Sequence, residues 1–218
     1  MIRIYIFCEG QTEETFVREV LTGHFNRLEI WLTPIVIQTS KRGKGGAVSY
    51  GKIKWQIENK CKEDQSAWVT MLLDLYGLPS DFPRMDSPEK DSFKKAKMIL
   101  SEIKKDINQS NFIPNLIVHE FEGLLFSNFQ AFSNYFESPE IIEKLEKIRQ
   151  DFDSPEHINN GRETAPSKRI LNICANYDKI LHGSLIALDI GLDQIRQECP
   201  FFDFWVKRLE TLPSGGKP

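Results

Sequence analysis

The chain has 218 residues, a formal net charge of −3 and 27% charged residues. This length suits one α/β domain, alone or with a helical appendage, and is sufficient to bury a hydrophobic core. The charge balance excludes a protein that attracts nucleic acid over its whole surface, so any site for a polyanion must be local.

Several kinds of segment are not found in the sequence. No apolar run approaches the roughly 20 residues that span a bilayer, so no membrane partner is expected. The first residues lack the basic and apolar regions of a signal peptide. The four cysteines form no CxxC pair and the four histidines show no zinc spacing. We therefore expect a cytoplasmic protein with reduced thiols.

The first fifteen residues predict a strand, a tight turn and a helix. The apolar run at residues 2–7 favours a strand, which ends at Glu9. Thr12 is predicted as the N-cap of the helix, and Glu13 lies in its first turn. Glu9 is then placed at the carboxyl end of a central strand, where open α/β sheets bind ligands. The alternative is that Glu9 only caps the turn.

The second predicted strand, residues 32–39, leads into a basic loop rich in glycine and then into a helix. The loop region contains a GxxxxGK pattern, but Ile53 stands where a P-loop has Ser or Thr, so a true P-loop is not expected. Lys41, Arg42 and Lys44 are nevertheless candidates for binding phosphate. A solvated loop without a ligand is the alternative.

The third and fourth predicted strands also end in acidic residues. Residues 68–74 are apolar without alternation, as expected for a strand buried on both faces, and they end at Asp74. An amphipathic helix follows, and then residues 112–118 lead to Glu120 and Glu122. Three of the four predicted strands therefore end in carboxylates.

These carboxylates are expected to converge at one edge of the sheet. Parallel strands have their carboxyl ends on the same side, which brings Glu9, Asp74, Glu120 and Glu122 towards each other. Three or four carboxylates at close range stay ionised only around a hard cation. We therefore predict a site for Mg²⁺ or Mn²⁺, with at least one raised carboxyl pKa when no ion is bound.

The second half of the chain is predicted to be mainly helical. Residues 129–212 form a helical extension packed on an α/β core of residues 1–128, and residues 213–218 form a disordered tail. Lys168 and Arg169 lie near the positive end of one predicted helix, where cations oppose the helix dipole. We expect them to contact an anion, and the alternative is two solvated basic residues.

The order of the predicted elements defines the fold class. Strands and helices alternate up to residue 118, which implies right-handed crossovers and a parallel core. We predict an α/β fold with a parallel-containing sheet of four or more strands, helices on both faces and a helical C-terminal part.

Five ordered motifs resemble a bacterial family of unknown function, the domain of unknown function family 4276. They are Glu-Gly-Gln-Thr-Glu at 9–13, Leu-Leu-Asp-Leu-Tyr-Gly at 72–77, His-Glu-Phe-Glu-Gly-Leu-Leu-Phe-Ser at 119–127, Thr-Ala-Pro-Ser-Lys-Arg-Ile at 164–170 and Ile-Gly-Leu-Asp-Gln-Ile-Arg at 190–196. The resemblance implies a Toprim-like (Rossmann-like) fold and an association with phage defence.

The Toprim resemblance assigns two of the acids and leaves one position unmatched. Toprim domains of topoisomerases, primases and overcoming-lysogenization-defect nucleases carry a glutamate after the first strand and Asp-x-Asp after a later one. Glu9 matches that glutamate and Asp74 matches the first aspartate, whereas Tyr76 stands at the second. The resemblance therefore implies one well-held metal, unless Glu13 or another acid completes a second site.

Three functions compete on these observations. The first is a nuclease dependent on Mg²⁺ or Mn²⁺, with Glu9, Asp74, Glu120 and Glu122 as ligands and Glu13 as a further ligand or general base. In this reading the basic residues named above contact the nucleic-acid backbone, and Tyr76 lies at the rim of the site.

The other two functions need no catalysis. One is a catalytically weak Toprim-like module that binds nucleic acid or a nucleotide and regulates a partner such as an ATPase. The other is a structural partner protein whose acids serve as caps and in salt bridges. The choice between DNA and RNA, and the oligomeric state, stay open at this stage.

Overall fold

A four-stranded parallel sheet forms the centre of the computed structural model, which describes residues 1–38, 49–159 and 161–213. The strands lie in the order β2-β1-β3-β4, with β1 at Ile2–Cys8, β2 at Ile30–Val36, β3 at Trp68–Leu72 and β4 at Phe112–Ile113. All three neighbouring pairs are parallel, and an isolated bridge joins Asp74 to Ile117 beyond β4. The predicted α/β class with a parallel core is confirmed.

Helices precede and follow these strands along the chain. They are α1 (Gln11–Phe16), α2 (Thr22–Arg27), α3 (Tyr50–Glu63), α4 (Ser92–Ile107), α5 (Pro139–Gln150), α6 (Pro166–Ile173), α7 (Ser184–Ile190), α8 (Leu192–Glu198) and α9 (Pro200–Glu210). π-Helical segments occur at Val17–Leu21 and Lys179–Gly183, and 3₁₀-helical segments at Phe121–Asn134, Pro155–His157 and Arg162–Thr164.

Apolar side chains of the central strands cover both faces of the sheet. Ile4 and Ile6 of β1 belong to a buried cluster with α1, α2 and the C-terminal helices, whereas Phe7 belongs to a cluster with α3 and α4. This division follows from the alternation of side chains along a strand. The helices predicted on both faces are confirmed.

The C-terminal helices complete the first of these clusters. The ring of Phe16 in α1 packs edge-on against Phe121, at 5.2 Å between centroids, and against Phe202 of α9, at 5.9 Å. Burial of one such ring stabilises the fold by roughly 1.5–3 kcal/mol. The core therefore continues across residue 128, and the predicted division there into a core and an extension stays a prediction.

The start of α1 differs from the prediction. Gly10, not Thr12, is the N-cap, and its N–H donates to Glu13 Oε2 at 2.9 Å. Because the Glu13 carboxylate reaches back to the cap N–H, the helix begins before Thr12, which is itself buried. The placement of the cap on Thr12 was therefore wrong.

Three other element boundaries also differ. The fourth strand is limited to β4, because Pro114 follows it and has no N–H for a sheet hydrogen bond. The predicted helical part is interrupted between α7 and α8 by Gly191, whose φ of 77° is left-handed. The second strand begins at Ile30 and ends at Val36, earlier than the predicted range of 32–39.

The state of the cysteines and the lengths of the helices are two further features of the fold. All four cysteines are buried free thiols. Of the helices in the described ranges, none combines the length and the apolar character needed to cross a lipid bilayer.

Candidate acidic site at the carboxyl edge of the sheet

Four carboxylates meet beyond the carboxyl ends of the central strands. Glu9 follows β1 and Asp74 follows β3. Glu13 lies in α1, and Glu122 lies in the first turn of the 3₁₀-helical segment Phe121–Asn134. Glu13, Asp74 and Glu122 have exposed fractions of 2%, 3% and 0%, whereas Glu9 lies exposed at the rim. We call these four residues, together with Lys179, the acidic site.

Lys179 places its ammonium group among the three buried carboxylates. Its Nζ lies 3.3 Å from Glu122 Oε2, 3.8 Å from Asp74 Oδ2 and 3.9 Å from Glu13 Oε1. The side chain enters from the solvent side, with 43% of its surface exposed. One ammonium among three carboxylates leaves the site with excess negative charge whenever the acids are ionised.

Two of the carboxylates have hydrogen bonds to backbone N–H groups. Glu9 Oε2 accepts from the N–H of Asp74 at 3.2 Å, and Glu13 Oε2 accepts from the N–H of Gly10 at 2.9 Å. Gly77 lies against the first of these carboxylates, since a Cβ there would be 3.0 Å from Glu9 Oε1. These contacts fix Glu9 and Glu13 at the ends of β1 and α1.

The other two carboxylates are incompletely satisfied. Asp74 Oδ1 and Glu122 Oε1 are buried without a hydrogen-bond partner in the described part of the chain, and the only partner of Glu122 Oε2 there is the Lys179 ammonium at 3.3 Å. A buried polar atom without a partner costs about 1–3 kcal/mol, and more when it is charged. These oxygens are therefore the places in the site where a proton, a donor or a cation would be most stabilising.

The carboxyl pKa values in the site are shifted upwards. Burial raises the pKa of Asp74 well above its usual range, Lys179 opposes this, and Glu9 and Glu13 add to it. Burial likewise raises the pKa of Glu122 against the opposing effect of Lys179. Surrounding protein also raises the pKa of Glu9, although solvent weakens that shift at an exposed side chain. The raised pKa values were expected, but burial rather than like charge is their largest cause.

The Lys179 ammonium is stabilised by the same arrangement. Burial alone would lower its pKa, but the charges of Asp74, Glu122, Glu13 and Glu9 outweigh burial and raise it. Lys179 is therefore protonated at neutral pH.

Glu120 and Tyr76 lie at the border of the site. Glu120 Oε2 accepts from the N–H of Ser167 at 2.9 Å, which directs this carboxylate to the start of α6 and separates it from Glu122. The Tyr76 side chain is 44% exposed, and its N–H donates to the carbonyl of His119 at 2.9 Å. The ligand role of Glu120 and the contact of Tyr76 with a substrate stay predictions.

The predicted basic residues are distributed differently from the acids. Lys168 is exposed, whereas Arg169 Nε donates to the carbonyl of Thr164 at 2.7 Å and its guanidinium lies 5.4 Å from the Phe152 ring centroid. These contacts hold the Arg169 side chain in place, and its predicted contact with an anion stays a prediction, as does that of Lys168. Lys41, Arg42 and Lys44 lie outside the described residues, as does the predicted tail at 214–218.

Two residues of this region were missed in the sequence. Lys179 follows a loop after α6, and nothing in its local pattern connects it with the strand ends. His119 has a left-handed φ of 69°, which is uncommon for a residue other than glycine, and it precedes the two acids of the fourth segment. Burial lowers the His119 pKa to about 4, so its imidazole is neutral at pH 7.

The donor set and the geometry have different implications for metal binding. Within residues 1–38, 49–159 and 161–213, no group of three or more His, Cys, Asp or Glu side chains is arranged to hold a metal ion. Carboxylate oxygens are nevertheless the ligands that Mg²⁺ and Mn²⁺ prefer, and Asp74 and Glu122 present unsatisfied oxygens of this type. Lys179 Nζ currently supplies the positive charge between them.

Comparison with known proteins gives one family and three similar solved structures. The family model described as Domain of unknown function (DUF4276) matches residues 8–210. The structures are of the C-terminal region of the Xanthomonas campestris pv. campestris OLD protein, phased with iodine, mercury and platinum. The TM-scores are 0.41, 0.39 and 0.40, with identities of 15%, 15% and 14%. Each covers 95% of this chain, and 97%, 98% and 95% of the OLD chain. The search of curated proteins found no match.

Proposed function

The chain belongs to the DUF4276 family, a domain of unknown function, so we infer its function from the acidic site. We propose a Toprim-like nuclease that cleaves phosphodiesters with Mg²⁺ or Mn²⁺. The observation that carries the proposal is the set of unsatisfied buried oxygens on Asp74 and Glu122, next to a single ammonium group. A site of this kind is stabilised by additional positive charge.

The position of the site in the fold supports this function. It lies at the carboxyl edge of a parallel sheet, which is the edge where open α/β sheets bind ligands. Glu9 is exposed there, so a carboxylate is accessible from solvent while three others are buried behind it. A substrate phosphate can therefore reach the rim of the site without unfolding of the core.

The residues divide into those that would hold the metal and those that would act beside it. Asp74 and Glu122 would hold the ion through their unsatisfied oxygens, with Glu9 at the rim. A bound Mg²⁺ or Mn²⁺ supplies an activated water and neutralises charge on the phosphate. Glu13 Oε2 keeps the hydrogen bond from the Gly10 N–H, and Oε1, now 3.9 Å from Lys179 Nζ, would accept a proton as a general base.

Lys179 would have a different role in the site without a metal ion and in the site with one. Without a metal it neutralises part of the charge of the buried acids, and its half-exposed side chain has room to move outwards. After such a movement its ammonium would lie at the rim, where a phosphate oxygen is a suitable partner. Lys168 would contribute a further contact to the backbone of a nucleic acid.

The wider setting follows from the resemblance and from the cysteines. We propose action in the cytoplasm, where free thiols such as the four cysteines are stable. Nucleic acid is the proposed substrate, an ATPase is a candidate partner, and phage defence is the proposed biological role.

A second candidate function is supported by a specific observation. Lys179 already provides a cation for the buried acids, and Tyr76 stands where the Toprim pattern has its second aspartate. Both features suit a catalytically weak module that binds nucleic acid or a nucleotide and regulates an ATPase. In that case the acidic site is a permanent ion-pair cluster.

Metal binding and cleavage by the purified chain test the proposal. We expect Mn²⁺ to bind, measured by isothermal titration calorimetry, and we expect plasmid DNA, single-stranded DNA or RNA to be cleaved with Mg²⁺ or Mn²⁺ but not with EDTA. Lys179→Met removes the competing ammonium, so the affinity for Mn²⁺ should rise about tenfold or more.

The same measurements distinguish the two candidate functions. Absence of Mn²⁺ binding to both the wild type and Lys179→Met would eliminate the nuclease and leave the regulatory module. Lys147→Glu is a matched control, because Lys147 is an exposed lysine on α5 outside the site. Its affinity for Mn²⁺ should equal that of the wild type.

A further inference from the structure

A cleft of about 880 Å³ lies between α4 and α9, and shares no lining residue with the acidic site. Its walls are aromatic, with Phe93 from α4 and Phe201, Phe204 and Trp205 from α9. The volume falls within the range of roughly 300–1,000 Å³ that is typical of small-ligand sites. We call it the aromatic cleft.

Three cations line the aromatic cleft without a carboxylate partner in the described part of the chain. Lys97 and Arg208 are exposed, and Lys104 Nζ donates to the carbonyls of Gln109 at 2.8 Å and Phe112 at 2.5 Å. Burial lowers the pKa of Lys104, and the charge of Arg208 lowers it further. Unpaired cations that repel each other beside an apolar surface favour an anionic ligand.

Two acids also belong to the lining but do not cancel this charge. Both oxygens of Glu156 accept hydrogen bonds from the start of α9, at 2.8 Å from the N–H of Phe201 and 2.9 Å from that of Phe202. Burial raises the pKa of Glu156 to about 7 against these hydrogen bonds, so it is only partly ionised at neutral pH. Asp153 is exposed to solvent.

A buried amide in the lining lacks an acceptor. Asn115 lies near the end of β4, is 4% exposed, and has no hydrogen-bond partner for Nδ2 among the described residues. Buried donors are nearly always paired in folded proteins, so an unpaired one next to a cleft indicates a missing acceptor. A ligand with an acceptor at its apolar end would pair with this amide once the Asn115 side chain turns towards the cleft.

We propose that the aromatic cleft binds a nucleotide. The base of a nucleotide supplies a flat ring that can pack on Phe204 and ring acceptors for Asn115. The phosphate of the nucleotide supplies the anion for Lys97 and Arg208. Stacking of bases on aromatic side chains and binding of phosphate by Arg are the usual forms of such recognition. The proposal concerns a site separate from the acidic site and holds whether or not the protein is a nuclease.

Two other occupants fit the cleft less well. A fatty acid offers an anion and an apolar chain but no acceptor for the Asn115 amide. An acidic peptide would add as a strand beside β4, yet Pro114 lacks an N–H and Lys104 already binds the carbonyl of Phe112.

Titration with adenosine 5′-monophosphate in EDTA tests the proposal. The four tryptophan indole N–H groups are expected to give separate NMR signals, and that of Trp205 comes from a group that donates to Thr70 Oγ1 at 3.0 Å. We expect the Trp205 signal to shift with saturation, and that of Trp55, which is 66% exposed on α3, to stay unchanged. Adenosine and ribose 5-phosphate should each bind at least about tenfold more weakly.

Surface variants locate the binding. Phe204→Ala and Arg208→Glu change exposed side chains, so the fold should be retained, and each should weaken binding about tenfold or more. Lys147→Glu on α5 is the charge-reversal control and should bind like the wild type. The proposal fails if the nucleotide does not bind, or if both cleft variants bind it normally. It also fails if myristate or an acidic peptide shifts the Trp205 signal where the nucleotide does not.

Discussion

Two groups of charged residues in this protein differ in how completely their charges are paired. The first is the acidic site, and the second, which we call the paired cluster, consists of His24, Arg196, Asp203 and Glu210. In the paired cluster Arg196 Nε lies 2.6 Å from Asp203 Oδ1, and Nη1 lies 2.6 Å from Glu210 Oε1. In the acidic site the nearest ion-pair distance is 3.3 Å.

The carboxyl pKa values move in opposite directions in the two groups. Burial alone would raise the pKa of Asp203, but hydrogen bonds from Lys207 and Arg196 outweigh it and lower the pKa. The same balance, with Arg196 and His24 as donors, lowers the pKa of Glu210. In the acidic site burial prevails over Lys179, and the pKa of Asp74 is raised.

The difference in charge pairing indicates that the paired cluster and the acidic site have different roles. The paired cluster satisfies its acids and links α8 to α9 and α2, so its charges stabilise the fold. The acidic site leaves oxygens of Asp74 and Glu122 unsatisfied inside the core, which lowers stability. Side chains that lower stability and have strongly shifted pKa values cluster at functional sites.

The largest expected effect concerns cleavage. Asp74→Ala should lower the rate of metal-dependent cleavage by about 10³-fold or more, because it removes a ligand and the charge that holds the ion. Asp203→Asn is the matched control from the paired cluster. Its cleavage rate, measured well below its melting temperature, should stay within twofold of the wild type. Equal losses in both variants would show that stability and not chemistry is being measured.

The next effect concerns stability. Arg196→Met removes three hydrogen bonds between charged groups, and should lower the free energy of unfolding by about 2–3 kcal/mol at pH 7. Because the folded pKa values of Asp203 and Glu210 are lowered, their contribution exists above the unfolded pKa values and disappears as the pH falls through the folded ones. Urea unfolding should therefore show a smaller difference from the wild type below about pH 3.

Arg18→Met is the control for that experiment. Arg18, in the π-helical segment Val17–Leu21, forms a more exposed pair with Glu14 of α1, four residues earlier, at 2.8 Å. Such pairs contribute about 0.5 kcal/mol or less, so this variant should unfold almost like the wild type. If Arg18→Met lowers the free energy of unfolding as much as Arg196→Met does, the paired cluster contributes no more to stability than an exposed ion pair.

A smaller change of opposite sign is expected at the acidic site. The folded pKa of Asp74 is raised, so the folded state binds more protons than the unfolded chain, and stability falls as pH rises from about 4 through the folded value. Asp74→Asn removes this fall. It should raise the free energy of unfolding at pH 7 by about 1 kcal/mol or more, and flatten its pH dependence above pH 4.

Urea unfolding in EDTA at several pH values measures this change. EDTA is needed because a bound ion would stabilise the wild type and hide the gain. If Asp74→Asn instead destabilises the protein as Asp203→Asn does, then Lys179 satisfies Asp74 fully, and the acidic site is a second paired cluster.

The sequence was sufficient to predict one part of the acidic site. Alternating strands and helices imply a parallel sheet, and parallel strands bring their carboxyl ends to one edge, so the proximity of Glu9 and Asp74 follows from topology. The sequence did not show which of the two acids after β4, Glu120 or Glu122, points into the site. Glu120 faces α6 because the chain is extended there, and the 3₁₀-helical turn that follows directs Glu122 inwards.

The cation of the site was beyond prediction for a different reason. Lys179 reaches the acids only because the segment after α6 packs against α1, and such packing between distant parts of the chain leaves no local periodic signal. The N-cap at Gly10 was missed because a glycine has no side chain to accept a hydrogen bond from the first helical turn. The contact that marks the cap is instead the one from the Gly10 N–H to the Glu13 carboxylate.

The smallest expected effect concerns Tyr76, which borders the acidic site without belonging to it. Its side chain is 44% exposed, and a phenol hydroxyl is a poorer ligand for a hard cation than a carboxylate is. Tyr76→Phe should therefore lower the cleavage rate only a few-fold, about 1 kcal/mol or less in activation free energy, while the affinity for Mn²⁺ stays within twofold. The cleavage rate and a calorimetric Mn²⁺ titration of the same preparation measure the two effects. Loss of Mn²⁺ affinity would make Tyr76 part of the metal site.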